Sequence, residues 1–195
     1  MSVNYPQILR LYQAKIDAGE LCVDSAQQNA VNALNNLSIQ LHIKTPWWKK
    51  APLIKGVYLH GPVGRGKSML MDLFYKNLPT ERKQRLHFHH FMAQIHTQLA
   101  QLQGHKNPLT LIAKQWAKDI KVLCFDEFFV QDITDAMLLG GLMEALFARG
   151  IVLVATSNII PDDLYRNGLQ RARFLPAIAL VNKHTEIVNV DSGVD

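Results

Sequence analysis

Gly61, Gly66, Lys67 and Ser68 stand in GPVGRGKS at the spacing GxxxxGK(S/T). Residues of these types at this spacing can hold a phosphate chain. Glycine lets backbone N–H groups approach phosphate with no Cβ in the way. Lys67 would neutralise charge on the outer phosphates, Ser68 would ligate Mg²⁺, and the following helix would point its positive end at the anion. A chance match in a chain of this length is on the order of one per cent. A short apolar run before the loop and a helical stripe after it weaken the alternative of a ligand-free glycine turn. The candidate cradle is Gly61, Pro62, Val63, Gly64, Arg65, Gly66, Lys67 and Ser68.

A second group, VLCFDEFF, sets Asp126 and Glu127 at the end of an apolar run. Like charges there repel, and a bound cation gives them a reason to be adjacent. Asp126 can hold the water shell of Mg²⁺, which makes Ser68 and Asp126 the expected metal pair. Glu127 is placed to orient or deprotonate an attacking water. The plain alternative is that both carboxylates cap the next segment. Asn158, in the pair Ser157 and Asn158 straight after IVLVAT, can bridge a terminal phosphate and that water, although asparagine after a strand is by itself an ordinary turn residue. Arg166, Arg171 and Arg173 fall within RNGLQRARF. Arginine of this kind can reach a neighbouring subunit's site, an effect worth roughly 10³–10⁵ in rate in nucleotide hydrolases. Surface pairing with Asp162 and Asp163 accounts for them equally well.

The elements that must position these groups alternate. GVYLH, LHFHH, VLCF, IVLVAT and EIVNV read as strands. Between them Leu70, Leu73 and Phe74 mark a helix, and so do Met92, Ile95, Leu99 and Leu102. Ile112 with Trp116, and the span Ile133 to Arg149, give two more. Strands alternating with helices predict a parallel sheet, and the continuously apolar VLCF and IVLVAT predict strands buried on both faces. Ligands then bind beyond the carboxyl ends of the strands, where Gly61, Asp126 and Ser157 converge. Before this core, a helix is expected over Pro6 to Ala18, and another near Asp24, where Asp24 and Gln27 have capping-box spacing. The division expected is residues 1–50, N-terminal helices and a linker with Trp47 and Trp48, packing on a core of residues 51–195.

Composition bounds the rest. The 195 residues suffice for one domain with a sizeable core. No apolar run approaches the roughly 18 residues of a membrane helix. The first twenty residues lack the pattern of a signal peptide or presequence, so a cytoplasmic location is expected. The two cysteines have no metal-ligand spacing, and His87, His89 and His90 have no cysteine close by and no HExxH pattern. The net charge of +5 is modest; the basic stretch ERKQR reads as a solvated helix end, and nucleic acid is not an expected partner.

The long run from CFDEFFVQDITDAM through RNGLQRARFLPAI resembles the ZapE/Afg-type family, a branch of the AAA+ ATPases. GVYLHGPVGRGKSMLMDLFY and RLHFHHFM resemble the same family. The likeness covers roughly Asp24 to Asp195. It implies an α/β P-loop NTPase core of AAA+ type, with a five-stranded, mainly parallel sheet flanked by helices. It implies Mg²⁺-dependent ATP hydrolysis in a homo-oligomeric ring, often a hexamer, linked to cell division and the FtsZ ring or to protein quality control. In those terms Gly61 to Ser68 is the Walker A loop, Asp126 and Glu127 the Walker B pair, and Asn158 sensor 1. Arg171 or Arg173 is the finger, Arg173 being the first choice. Phe91 and Met92 fit either a pore-loop pair or simple helix packing. Family members continue into a helical lid, and with the sequence ending at Asp195 the lid is expected to be lacking. Two other functions fit the same residues: a nucleotide-dependent adaptor with little turnover, and a DNA-associated loader ATPase.

Overall fold

The computed structural model describes residues 8–43, 52–191 and 193. The expected helix start at Pro6 and the loop with Trp47 and Trp48 lie outside them. In chain order the elements are α1 (Ile8–Asp17), α2 (Ser25–His42), β1 (Gly56–His60), α3 (Lys67–Lys76), β2 (Lys83–His87) and α4 (Phe88–Gln101). They continue with α5 (Pro108–Asp119), β3 (Val122–Asp126), α6 (Ile133–Phe147), β4 (Val152–Ser157), α7 (Leu175–His184) and β5 (Thr185–Asn189). Two short 3₁₀ turns, Pro161–Asp163 and Arg171–Arg173, lie between β4 and α7.

The five strands form one sheet in the order β2-β3-β4-β1-β5, with every neighbouring pair parallel. The apolar strands β3 and β4 are interior and buried along their whole length. Strand side chains alternate between faces, so each apolar strand feeds two cores. Val57, Leu59, Val122, Cys124, Val152 and Val154 pack with α1, α2 and α3. Tyr58, Leu123, Phe125, Leu153 and Ala155 pack with α4, α5, α6 and α7 on the other side. The result is a three-layer α/β/α arrangement.

Three local expectations change. LHFHH is not a strand. The strand ends at His87, and Phe88, His89 and His90 open α4. Phe88, Phe91, Met92 and Ile95 recur at helical spacing, and all four are buried, so the apolar period overrides the β-favouring composition. ERKQR is not a helix end either, since Lys83, Gln84 and Arg85 form edge strand β2 against β3. Asp24 does cap α2, accepting from the N–H groups of Ala26 and Gln27 at 2.8 and 3.0 Å. The reciprocal half of the capping box is not made, because the Gln27 side chain is engaged by Tyr12 and by the glycine loop. Helix α7 has no counterpart in the strand-and-helix pattern read above. Pro176 sits in its first turn, a position where proline starts a helix as readily as it bounds one.

Candidate nucleotide site

Register brings the predicted segments together. His60 pairs with Ser157, and His87 pairs with Asp126. The carboxyl ends of β2, β3, β4 and β1 therefore lie side by side. The Gly61 N–H donates to the Ser157 carbonyl at 3.3 Å, fixing the start of the glycine loop against the end of β4. A cavity of about 350 Å³ lies beyond this edge, lined by Val63, Gly64, Gly66, Lys67, Ser68, Met69, Glu127, Thr156, Ser157 and Asn158.

The loop has the form of an anion cradle. Gly64 and Gly66 have φ of +85° and +82°, a region open to glycine and strained for other residues. Space beside Gly64 is open, with nothing within 4 Å of where a Cβ would sit. Gly66 at the N-cap of α3 has no side chain to occupy the first-turn N–H groups. The Lys67 ammonium folds back onto the loop, donating to the Gly61 carbonyl at 2.5 Å and to that of Pro62 at 2.6 Å. Only 9% of Lys67 is exposed, and burial pulls its pKa below the usual lysine value. A nearly buried cation held only by neutral carbonyls is a site for an anion. The loop therefore fits a phosphate chain, and Ser68 and Asp126 are hard oxygen donors of the kind Mg²⁺ takes together with phosphate. Among the described residues no group of three or more His, Cys, Asp or Glu could hold a metal by itself.

Glu127 extends into the cavity region with its side chain 77% exposed, and its φ is +54°. A non-glycine residue in the left-handed region is strained and persists only where its surroundings hold it. The surroundings are explicit. The Glu127 N–H donates to Thr156 Oγ1 at 3.2 Å, and the Phe128 N–H donates to the Thr156 carbonyl at 2.7 Å. Ser157 Oγ donates to the Phe128 carbonyl, and the Tyr58 hydroxyl to that of Ile159, both at 2.8 Å. The loops bearing Glu127 and Asn158 are thus stitched into one unit. His87 Nδ1 lies 3.8 Å from Glu127 Oε2.

Asp126 is placed differently. It does not line the cavity, and both of its oxygens accept from Arg85, Oδ2 from Nε at 2.6 Å and Oδ1 from Nη2 at 3.1 Å. Arg85, Thr156, Tyr58 and Gln27 are site neighbours that motif reading missed. Arg85 carried one usable signal, its place two residues before the end of a strand. Gln27 carried none, since its donation to the Arg65 carbonyl at 3.3 Å spans 38 residues.

The arginines divide. Arg166 pairs with Asp163 at 3.4 Å, and Arg171 donates to the Asp162 carbonyl at 2.6 Å. Arg173 is exposed and, among the described residues, its side chain bonds only Gln170, three residues earlier, at 3.1 Å. Phe91 and Met92 are 0% and 1% exposed inside the core under α4. Burial of both side chains rules out the pore-loop reading in this structure and leaves helix packing.

A parallel sheet in this order, with a glycine loop after β1 and an acidic pair at the end of β3, defines the P-loop NTPase class. The crystal structure of DnaI shares the fold, with a TM-score of 0.64 and 13% identity over 89% of this chain and 86% of that one. AMPPCP-bound DnaA from Aquifex aeolicus gives 0.58 and 13% over 88% and 48%. The AFG1-like ATPase family model matches residues 7–195, and the chain belongs to that family. It is 53% identical over 203 aligned positions to cell division protein ZapE of Escherichia coli K12, covering 94% of this chain and 54% of that protein. It is 43% identical over 152 positions to lactation elevated protein 1 homolog B of Danio rerio, covering 72% and 30%. The chain therefore spans about half the length of ZapE. Among the described residues no helix is long and apolar enough to cross a membrane.

Proposed function

We propose that this chain carries the nucleotide-binding and hydrolytic core of a Mg²⁺-dependent ATPase. The observation that carries the reading is the shared cavity. It is lined by Lys67 and Ser68 from the glycine loop, Glu127 from the end of β3 and Asn158 from the end of β4. Lys67 exchanges its two loop carbonyls for phosphate oxygens, a charge-assisted contact stronger than the neutral ones it replaces. The N–H groups at the start of α3 receive the remaining phosphate charge. Ser68 and Asp126 would hold magnesium, which supplies neutralisation of charge developing on the phosphates. Glu127 orients a water and takes its proton, and Asn158 aligns that water with the terminal phosphate.

The likeness to ZapE supports a link to cell division, with a homo-oligomeric ring and the FtsZ ring as the working partners. Arg173 is the finger that one copy presents to the next, because it is exposed and, unlike Arg171, is not tied to the backbone of another turn. A cytoplasmic location fits this role.

Glu127→Gln keeps ATP bound and lowers turnover by about 10² or more, since general-base assistance contributes 10²–10⁴-fold. Retention of labelled ATP and phosphate release, measured on the same sample, check this. Undiminished phosphate release would remove Glu127 from its role.

A further inference from the structure

Arg85 lies on edge strand β2, away from every motif, yet its guanidinium contacts two carboxylates on two other elements. Nε and Nη2 grip both oxygens of Asp126 on β3. Nη1 donates to Oδ1 of Asp72 on α3, the helix that begins with Lys67 and Ser68. Asp72 also pairs with Lys76 one turn on, at 3.3 Å. The Arg85–Asp126 pair is largely shielded, with side chains 22% and 12% exposed, while Asp72 is 46% exposed. Burial opposes the Arg85 charge, but the hydrogen bonds to Asp126 and Asp72 outweigh it and hold its pKa above the usual arginine range. The same contact, first among several causes, pulls Asp72 below the usual carboxylate range.

We propose that Arg85 is a positioning residue for the metal-binding carboxylate. Its planar fork sets the orientation of Asp126 and ties it through Asp72 to the helix that carries Ser68. The two protein donors expected to hold magnesium are thereby kept in one frame. The inference rests on the nucleotide reading above.

Two features argue for a positioning role over an incidental ion pair. A carboxylate offers about four lone-pair sites, and the fork uses one on each oxygen, so acceptor capacity remains for the waters that magnesium retains. The grip on Asp126 is bidentate, a geometry that lysine cannot reproduce.

The test is ATP affinity measured by calorimetry on the full chain, in excess Mg²⁺ and in EDTA. Arg85→Lys and Arg85→Met should each lose about tenfold of the Mg²⁺-dependent gain in affinity, while affinity in EDTA stays within about twofold, as expected when a residue orienting a metal ligand is removed. Asp72→Ala removes the acceptor that ties Arg85 to α3 and leaves the Arg85–Asp126 pair in place, so it should lose a smaller part of the same gain. Full retention of the gain in Arg85→Met, or an increase, would overturn the proposal, the increase marking Arg85 as a competitor of the cation. An equal loss in both media would also overturn it, showing that Arg85 serves only the fold. If the unaltered chain bound no ATP in either medium, the nucleotide reading itself would fall.

Discussion

Asn158 illustrates how little of a residue's role lies in the residue itself. An asparagine after a strand is a common turn residue. What distinguishes this one is its mooring. Ser157 bonds the backbone of Phe128 on one loop and receives the Ile159 N–H on its own, while Tyr58 holds the Ile159 carbonyl from within the core. Burial pushes the Tyr58 hydroxyl well above the usual tyrosine range, so it stays a neutral donor across the working pH range. The backbone on either side of Asn158 is therefore tied to the neighbouring loop and to the core. Asn158→Ala should lower turnover by about 10²-fold, the scale seen when one preorganised donor to developing charge is removed. ATP affinity should change far less. Parallel measurement of kcat and of ATP affinity separates the two; an equal fall in both would assign Asn158 to ground-state binding.

At the scale of elements, the segment from Pro161 to Phe174 is held by packing rather than by regular structure. Tyr165 has a φ of +54°, packs edge-on against Phe174 at 5.5 Å, and donates to the Leu169 carbonyl at 3.0 Å. Its ring closes over Gly168 so tightly that a Cβ there would lie 2.1 to 2.3 Å from ring atoms. Gly168→Ala must therefore displace a buried ring, at a cost of about 1–3 kcal/mol. The 3₁₀ turn bearing Arg171 and Arg173 follows directly, so the damage should extend to whatever Arg173 does. Chemical denaturation measures the stability loss, and an unchanged midpoint would show that the ring yields freely. The run RNGLQRARF by itself gives Gly168 no role beyond that of a break in the chain. The reason for a glycine there is a contact with a side chain three residues earlier, and no local propensity encodes it. The misread start of α4 has a similar origin, because a strand passing straight into a helix leaves no polar turn to mark the boundary.

For the whole molecule, the proposal that Arg173 is a finger would make the reaction a property of assemblies. If one copy completes the site of the next, turnover per chain rises with protein concentration while ATP binding does not. Arg173→Ala should then lose roughly 10³–10⁵ in rate, as finger removal does in other nucleotide hydrolases, and adding it to unaltered protein should poison mixed assemblies. Steady-state phosphate release across a dilution series, with and without the variant, checks this. A rate per chain independent of concentration would place all the catalytic groups within one copy.

The sequence by itself determined the parallel α/β architecture, the interior strands β3 and β4, and the three loops that meet at one edge. Those features are written in short-range signals: apolar runs, glycine spacing and the order of strands and helices. Tertiary structure alone decided that Asp126 is gripped by Arg85, that Gln27 braces the glycine loop, that Phe91 and Met92 are core, and that Arg173 is freer than Arg171. Each of these depends on which side chains from separate elements come within hydrogen-bonding or van der Waals distance. That outcome is fixed by strand register and helix packing across dozens of residues, and local pattern carries no record of it.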